Sequence, residues 1–191
     1  MTGMFITSVV GIALLTAGVS KLRDLDAHAR VVMGYKLLPD PVARRLGRAL
    51  PFIEIALGVA TIGRLGLPVT AWAAAALFAG YAVGLAVNLA RGRTDLDCGC
   101  FAFGTHDAPR ITWWHAARAL GFAAAAALTV VLPGPDSVAE VATGVATGAL
   151  AVVLGFGVAA VASTLSLGRR RVDDYLAPAR AEMRRRQGAR V

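Results

Sequence analysis

The 191-residue chain is 57% hydrophobic and carries a net charge of +8, which makes it too apolar for an ordinary soluble domain. Its basic residues fall in blocks between apolar stretches, a pattern typical of membrane topology signals and not of a nucleic-acid surface. Because it has only two cysteines, it is not a disulfide-rich secreted scaffold. Composition therefore predicts a membrane protein, and we expect neither bound nucleic acid nor a cofactor.

Five apolar segments approach or reach the ~17–25 residues that a helix needs to cross the hydrocarbon core. No Lys or Arg precedes the first segment, so we expect a retained anchor and not a cleavable signal peptide. Runs of Ala, Leu and Val without alternation favour helices over a barrel. The sequence thus predicts an all-α bundle over residues 1–167 and a basic cytoplasmic tail over 168–191. The predicted spans are 3–21, 50–66, 69–90, 111–132 and 138–167.

The second span is the weakest of the five, because it is short, contains Glu54 and ends near Arg64. Four spans with a re-entrant segment are the alternative. Ahead of this span, Asp40 and Pro41 pair an N-cap residue with proline at the first helical position. This pair predicts an interfacial helix over 42–50.

Two pairs of glycines have the spacing that lets membrane helices approach closely. They are Gly80 with Gly84, and Gly144 with Gly148. In a chain so rich in Ala and Gly such spacings also arise by chance, so each pair either lies at a helix contact or has no packing role.

Charge placement predicts the orientation. If the chain crosses five times, eighteen of its twenty basic residues lie on one side, Arg64 lies opposite and Arg118 lies within the fourth span. Four spans would break this segregation. We therefore predict a multi-pass protein of the cell membrane with an external amino terminus and a cytoplasmic carboxyl terminus. The arginines of the tail are expected to meet anionic lipid headgroups.

Chemistry is concentrated between the third and fourth spans, where Cys98 and Cys100 flank Gly99. Two thiols one residue apart close only a small, strained disulfide ring, and strain makes such a bridge easy to form and break by exchange. Glycine supplies the backbone freedom that the ring requires. The motif favours a switchable dithiol.

Two other interpretations of the cysteines remain open. Free cysteine often behaves as a small buried hydrophobe, which would make the pair inert. The thiols could also bind zinc together with His106, with or without His115, although structural zinc sites usually space their cysteines by two to four residues. The spacing counts against zinc, and we predict no metal.

Glu54 and Arg118 are ionisable groups inside predicted spans, and such groups are costly unless they have partners. Both lie near the predicted cytoplasmic side, so the sequence predicts that they pair with each other. Lys21 and Asn88 end their spans on that side, and His115 lies one turn before Arg118. We expect a polar cluster beneath the cysteines in which Glu54, His115 and Arg118 support the dithiol. In the alternative, Glu54 is an early helical residue after Pro51 and Arg118 reaches the interface.

Trp113, Trp114 and Trp72 lie at the starts of predicted spans and fit an aromatic belt at the membrane surface. Contact of these rings with a quinone is the alternative.

Short segments from the first span to the fourth carry a family resemblance, which covers roughly residues 10–125. They are Ala17-Gly18-Val19-Ser20-Lys21-Leu22, Tyr35-Lys36-Leu37-Leu38-Pro39, Leu50-Pro51-Phe52-Ile53-Glu54 with Gly58, Asn88-Leu89-Ala90-Arg91-Gly92-Arg93 and Asp97-Cys98-Gly99-Cys100-Phe101. With them the sequence resembles the MauE family of methylamine-utilisation membrane proteins and, more distantly, the DoxX-like membrane proteins. It departs from the family where Ala102-Phe103-Gly104 follows Phe101, since we expect glycine directly, and where Ala119 follows Arg118, since we expect asparagine.

The resemblance implies a four-helix DoxX-like core with one further helix. It also implies a membrane component of a thiol-disulfide system with Cys98 and Cys100 as the redox pair. Its partner would be a thioredoxin-like protein, and its role the maturation of exported proteins such as the methylamine dehydrogenase small subunit. Charge places the cysteines on the cytoplasmic side, whereas exported disulfides mature outside, so we expect the loop to change its accessibility or to receive electrons from a cytoplasmic reductant. The alternative is a noncatalytic scaffold or accessory subunit with incidental cysteines.

Overall fold

The chain forms six helices and no strand within the residues that the computed structural model describes, which are 2–94, 96, 111–158 and 161. Three of these helices, α1, α4 and α6, are long and apolar enough to cross a membrane. The predicted helical membrane protein is therefore confirmed in its class. The helices are α1 (Thr2–Lys21), α2 (Leu25–Gly34), α3 (Asp40–Ile62), α4 (Val69–Ala90), α5 (Trp113–Leu128) and α6 (Val138–Val158).

The helices predicted over 3–21 and 69–90 are confirmed almost to the residue. The segment predicted over 111–132 forms a shorter helix, α5, because the chain turns after Leu128. The helix α6 begins at the predicted residue. Its predicted end, the boundary at 167 and the basic tail lie outside the described residues.

The region of α3 differs from its prediction. The expected interfacial helix over 42–50 and the expected span over 50–66 are one continuous helix, which ends at Ile62. Asp40 is its first helical residue and not the N-cap, which is Pro39. Pro51 lies inside the helix, where a proline costs about 3 kcal/mol. Packing of α3 against α1 and α2 offsets this cost.

Glycines let α3 approach its neighbours. A side chain at Gly58 would lie 2.8 Å from the backbone oxygen of Gly11 on α1, and one at Gly18 would lie 2.7 Å from that of Pro51. On the other side, a side chain at Gly47 would lie 2.7 Å from the Cα atom of Ala29 on α2. The helix α3 is therefore held between α1 and α2 by contacts that only glycine permits.

The helices α4 and α5 form a second packed pair, in which the rings of Phe78 and Phe122 stack with their centroids 5.1 Å apart. The main apolar core joins this pair to α1 through Val10, Leu14 and Ala74. Apolar residues of three helices therefore bury one another in the middle of the bundle.

The two glycine pairs predicted from spacing behave differently. Side chains at Gly144 and Gly148 of α6 would lie 2.7 Å from Met4 and Ser8, so this pair does lie at a helix contact, against α1. A side chain at Gly80 would meet nothing within 4 Å, so Gly80 lies at no helix contact. Contacts divide the chain into a unit over 1–152 and a second over 153–191, of which residues 153–158 complete α6.

Candidate functional site

Three helices bring a buried ion pair together in the bundle. Lys21, the last residue of α1, places its Nζ atom 2.5 Å from Oε1 of Glu54 in α3. The hydroxyl of Tyr81 in α4 donates to the same Glu54 oxygen at 2.6 Å, and the Lys21 Nζ atom lies 5.3 Å from the centre of the Tyr81 ring. The side chains of Lys21 and Glu54 are 1% and 0% exposed. We call these three residues the ion-pair cluster.

The predicted pairing of Glu54 with Arg118 is wrong, because Glu54 bonds to Lys21 and Tyr81. Depth along a span was the only basis for that prediction, and depth does not say which helix faces which. Glu54 also lies in the interior of α3, so it is not an early helical residue after Pro51 as the alternative had it. The ion-pair cluster stabilises the fold only as a unit, since loss of one partner leaves a buried charge without its counter-charge.

The ends of the cysteine-bearing connection are fastened to the bundle. The backbone N–H of Ile111 donates to the carbonyl of Thr94 at 3.1 Å. The Arg93 guanidinium donates to the carbonyls of Gly34 and Tyr35, at 2.8 and 3.3 Å, and to the side-chain oxygen of Asn88 at 3.0 Å. Thr94 and Ile111, which lie on either side of residues 95–110, are therefore adjacent, and we call this junction with its Arg93 contacts the loop base.

Packing supports the loop base from beneath. Ile111 is 1% exposed and packs with Leu85 and Ala116, and Tyr35 and Leu96 lie against this group. The described part of the connection is thus part of the core.

His115 and Arg118 lie in the first two turns of α5, close to the loop base. The backbone N–H of Thr112 donates to Nδ1 of His115 at 3.1 Å, so His115 caps the start of its own helix. Asn88 bonds to Arg93 and to the Gly84 carbonyl. The single polar cluster expected from the sequence is therefore divided, with Lys21 and Glu54 in the ion-pair cluster and Asn88 at the loop base. Cys98, Cys100 and His106 lie outside the described residues.

An apolar cleft of about 410 Å³ lies between α2, α3 and α4. Tyr81 of the ion-pair cluster and Tyr35 of the loop base both line it, so the cleft adjoins both features. His28 also lines the cleft, is 7% exposed, and has an Nε2 atom without a hydrogen-bond partner among the described residues. Burial, together with the nearby Lys21 ammonium, lowers the pKa of His28 to about 4. The imidazole is therefore neutral at pH 7.

Sequence reasoning missed His28 and Tyr81 as site components, and it did not predict that Lys21 pairs with Glu54. His28 lies in a short amphipathic helix that carries no motif, and Tyr81 was part of an apolar run. Lys21 was expected in the polar cluster because it ends its span on the same side as Glu54, but not as the partner of Glu54. The sequence feature that could have predicted this ion pair is that a lysine and a glutamate both interrupt otherwise apolar stretches at similar depth.

Comparison with known proteins gives one consistent family. The family model of methylamine utilisation protein MauE matches residues 1–132. The methylamine utilization protein MauE of Paracoccus denitrificans is 37% identical over 149 residues, which is 76% of this chain and 78% of the relative. The MauE proteins of Methylorubrum extorquens and Methylophilus methylotrophus are 34% and 35% identical over 173 and 130 residues, covering 87% and 68% of this chain and 89% and 68% of the relatives. No solved structure matches the chain.

Proposed function

This chain belongs to the MauE family of methylamine utilisation proteins, and we propose that it is the membrane component of a thiol-disulfide exchange system. Cys98 and Cys100 cycle between dithiol and disulfide. The exchange supports the maturation of exported proteins. We propose that these proteins act in methylamine utilisation because the relatives are named methylamine utilization proteins.

The observation that carries the proposal is the loop base. The only two cysteines of the chain lie in a connection whose ends are joined by the Ile111–Thr94 hydrogen bond and clamped by Arg93. A redox pair must be presented to a partner protein from a fixed place, and reactive residues are typically carried by loops on a rigid scaffold.

The exchange balances without a cofactor. One cysteine thiolate attacks a sulfur of the partner's disulfide, forms a mixed disulfide and expels the partner's other sulfur as a thiolate, which takes up a proton. The second cysteine then attacks the mixed disulfide. This step closes the Cys98–Cys100 bridge and releases the second partner sulfur, so two electrons have passed to the partner. The reverse sequence oxidises the partner.

The three residues proposed to support the dithiol, Glu54, His115 and Arg118, lie in different parts of the bundle. His115 and Arg118 follow the loop base on α5, where the positive charge of Arg118 would favour the thiolate form of a nearby cysteine and His115 caps the helix that carries Arg118. Glu54 lies in the ion-pair cluster and acts only by holding α1, α3 and α4 together. It is a positioning residue, and the thiol chemistry belongs to the cysteines.

The partner is proposed to be a thioredoxin-like protein, and the chain is proposed to cross the bacterial cell membrane five times with a cytoplasmic carboxyl terminus. In this topology the loop base lies on the cytoplasmic side, and the basic tail meets anionic headgroups. Exchange with an exported protein then needs either a loop accessible from both faces or a cytoplasmic source of electrons.

Trapping of a mixed disulfide tests the function. We expect Cys100→Ser or Cys98→Ser, expressed in its native host, to accumulate a covalent adduct with a thioredoxin-like protein, because the thiol that would release it is gone. The adduct should disappear on reduction and be absent from the Cys98→Ser/Cys100→Ser double variant, which is the matched control. Mass spectrometry identifies the partner.

Labelling with a membrane-impermeant maleimide, in intact cells and in inverted vesicles, gives the second readout. Labelling that requires prior reduction supports a resting disulfide and locates its accessible face. Normal maturation of exported disulfide proteins in the double variant, with no adduct in either single variant, would establish the noncatalytic scaffold instead.

A further inference from the structure

The cleft beside the ion-pair cluster has the properties of a small-molecule site. Its volume of about 410 Å³ falls within the 300–1,000 Å³ usual for ligand pockets. A cavity of about 150 Å³ is enough to hold benzene in another protein, so a substituted ring fits here. The walls are almost entirely apolar, from Val31 and Leu38 on one side to Leu50 and Leu85 on the other.

Charge excludes an ionic ligand. No Lys, Arg, Asp or Glu is among the described residues that line the cleft, and the Lys21 ammonium, 5.3 Å from the centre of the Tyr81 ring, is already bound to Glu54 at 2.5 Å. The imidazole of His28 is neutral at pH 7 because its pKa is lowered to about 4. A charged ligand would lose its hydration here without gaining a counter-charge.

One polar group in the wall lacks a partner. His28 is more than nine-tenths buried, and its Nε2 atom makes no hydrogen bond within the described part of the chain. A buried polar atom without a partner costs about 1–3 kcal/mol. A ligand that offers one hydrogen-bonding oxygen to this imidazole would remove that cost, whereas a plain acyl chain would not.

We propose that the cleft binds the ring of a membrane quinone, with a ring carbonyl accepting a hydrogen bond from the imidazole of His28. A quinone ring is flat, neutral and soluble in the bilayer, as the volume and the apolar walls require. The choice of a quinone among neutral, ring-bearing ligands rests on the proposed thiol-disulfide function. It would accept two electrons and two protons as a dithiol becomes a disulfide, and its two carbonyls become hydroxyls.

Gly80 offers a clean way to fill the cleft. It lines the cleft on α4, and a Cβ atom added there would meet no atom within 4 Å, so the side chain of Gly80→Leu starts in open space and adds volume at the cleft. Gly121 is an exposed glycine of α5 that also meets nothing within 4 Å and does not line the cleft. Gly121→Leu is therefore the matched control.

The test is saturable photo-crosslinking of an azidoquinone to the full chain in phosphatidylcholine nanodiscs, with the crosslinked residues mapped by mass spectrometry. We expect crosslinks in α2 and α4, competition by decylubiquinone, and affinity about tenfold weaker in Gly80→Leu. Gly121→Leu should bind as the native chain does. His28→Leu should weaken binding, and His28→Gln, which keeps a hydrogen-bond donor, should restore part of it.

Three results would overturn the proposal. They are crosslinking that does not saturate, crosslinking equal in Gly80→Leu and Gly121→Leu, and competition by palmitate but not by decylubiquinone, which would show an acyl-chain site. The Cys98→Ser/Cys100→Ser variant should bind the azidoquinone normally, because binding needs no thiol. Loss of thiol exchange with binding intact, or the reverse, therefore separates failure of the proposed function from failure of this site.

Discussion

Lys21 and Glu54 each place a charge where water does not reach, with exposures of 1% and 0%. Their mutual attraction offsets the cost of removing each charge from water, and the Tyr81 hydroxyl adds a hydrogen bond to Glu54 at 2.6 Å. The sequence marked Glu54 as unusual, because a carboxylate interrupted an apolar stretch. It did not identify the partner, since the faces that α1 and α3 turn to each other depend on the crossing of the helices.

At the residue scale, removal of one charge is predicted to cost much more than removal of both. We expect Glu54→Gln or Lys21→Met to lower the free energy of unfolding by about 3–5 kcal/mol, because each leaves the other charge buried alone. The double variant Lys21→Met/Glu54→Met should be more stable than the sum of the single effects predicts. Thermal unfolding in detergent, followed by circular dichroism, measures all three.

The control for this prediction is the Asp26–Arg48 pair, with a distance of 2.6 Å but with half or more of each side chain exposed. The Arg48 guanidinium lowers the pKa of Asp26, yet water screens the pair. Asp26→Asn should leave the unfolding transition nearly unchanged. If it destabilises as much as Glu54→Gln, burial is not what makes the Lys21–Glu54 pair important.

At the scale of elements, the contact between α1 and α3 depends on glycines that were not predicted from the sequence to lie at a helix contact. Gly11 and Gly18 lie seven residues apart and face α3, whereas the spacing used to predict helix contacts pairs glycines four residues apart. Of those, Gly144 and Gly148 do lie at a contact and Gly80 lines a cleft. Spacing gives a face of a helix, and only the packed structure says whether that face has a neighbour.

Gly58→Ala tests this contact with the smallest possible change. The added methyl group would lie 2.8 Å from the Gly11 carbonyl oxygen, a backbone atom that cannot turn aside. Overpacking of this kind costs about 1–3 kcal/mol, which outweighs the ~1 kcal/mol gained in helix propensity. We expect a lower melting temperature for Gly58→Ala than for the native chain.

Gly121→Ala is the matched variant, since the same substitution in another helix meets nothing within 4 Å. It should be neutral or slightly stabilising because only the propensity gain remains. Equal melting temperatures for the two variants would contradict the close contact of α1 with α3.

At the scale of the whole molecule, two arginines hold connections between helices to the rest of the bundle. At one end, Arg64 donates to the hydroxyl of Thr7 and to the carbonyl of Leu132, at 3.3 and 3.1 Å. At the other end, Arg93 fastens the loop base to the end of α2. The three helices long and apolar enough to cross a membrane could be predicted because length and apolarity are local properties. The cleft could not, because its walls come from three helices.

Two introduced cysteines distinguish five spans from four. In the Cys98→Ser/Cys100→Ser background, Arg23→Cys and Asp136→Cys place single thiols at exposed positions separated by α3, α4 and α5. Three crossings put them on opposite sides, so an impermeant maleimide should label Asp136→Cys in intact cells and Arg23→Cys only in inverted vesicles. Labelling of both from the same side would mean that α3 or α5 does not cross.

The hydrogen bond between Ile111 and Thr94 bears on how the connection between α4 and α5 can evolve. Because both ends of the connection are fixed, the packing of the bundle does not depend on the number of residues between them. Each doubling of a loop's length costs only about 0.6 kcal/mol of closure entropy. The Ala102-Phe103 dipeptide before Gly104 fits such tolerance. Under the proposed function, we therefore expect residues 97–110 to vary in length and sequence among relatives, and partner specificity with them, while the bundle and the packed Leu96 stay constant.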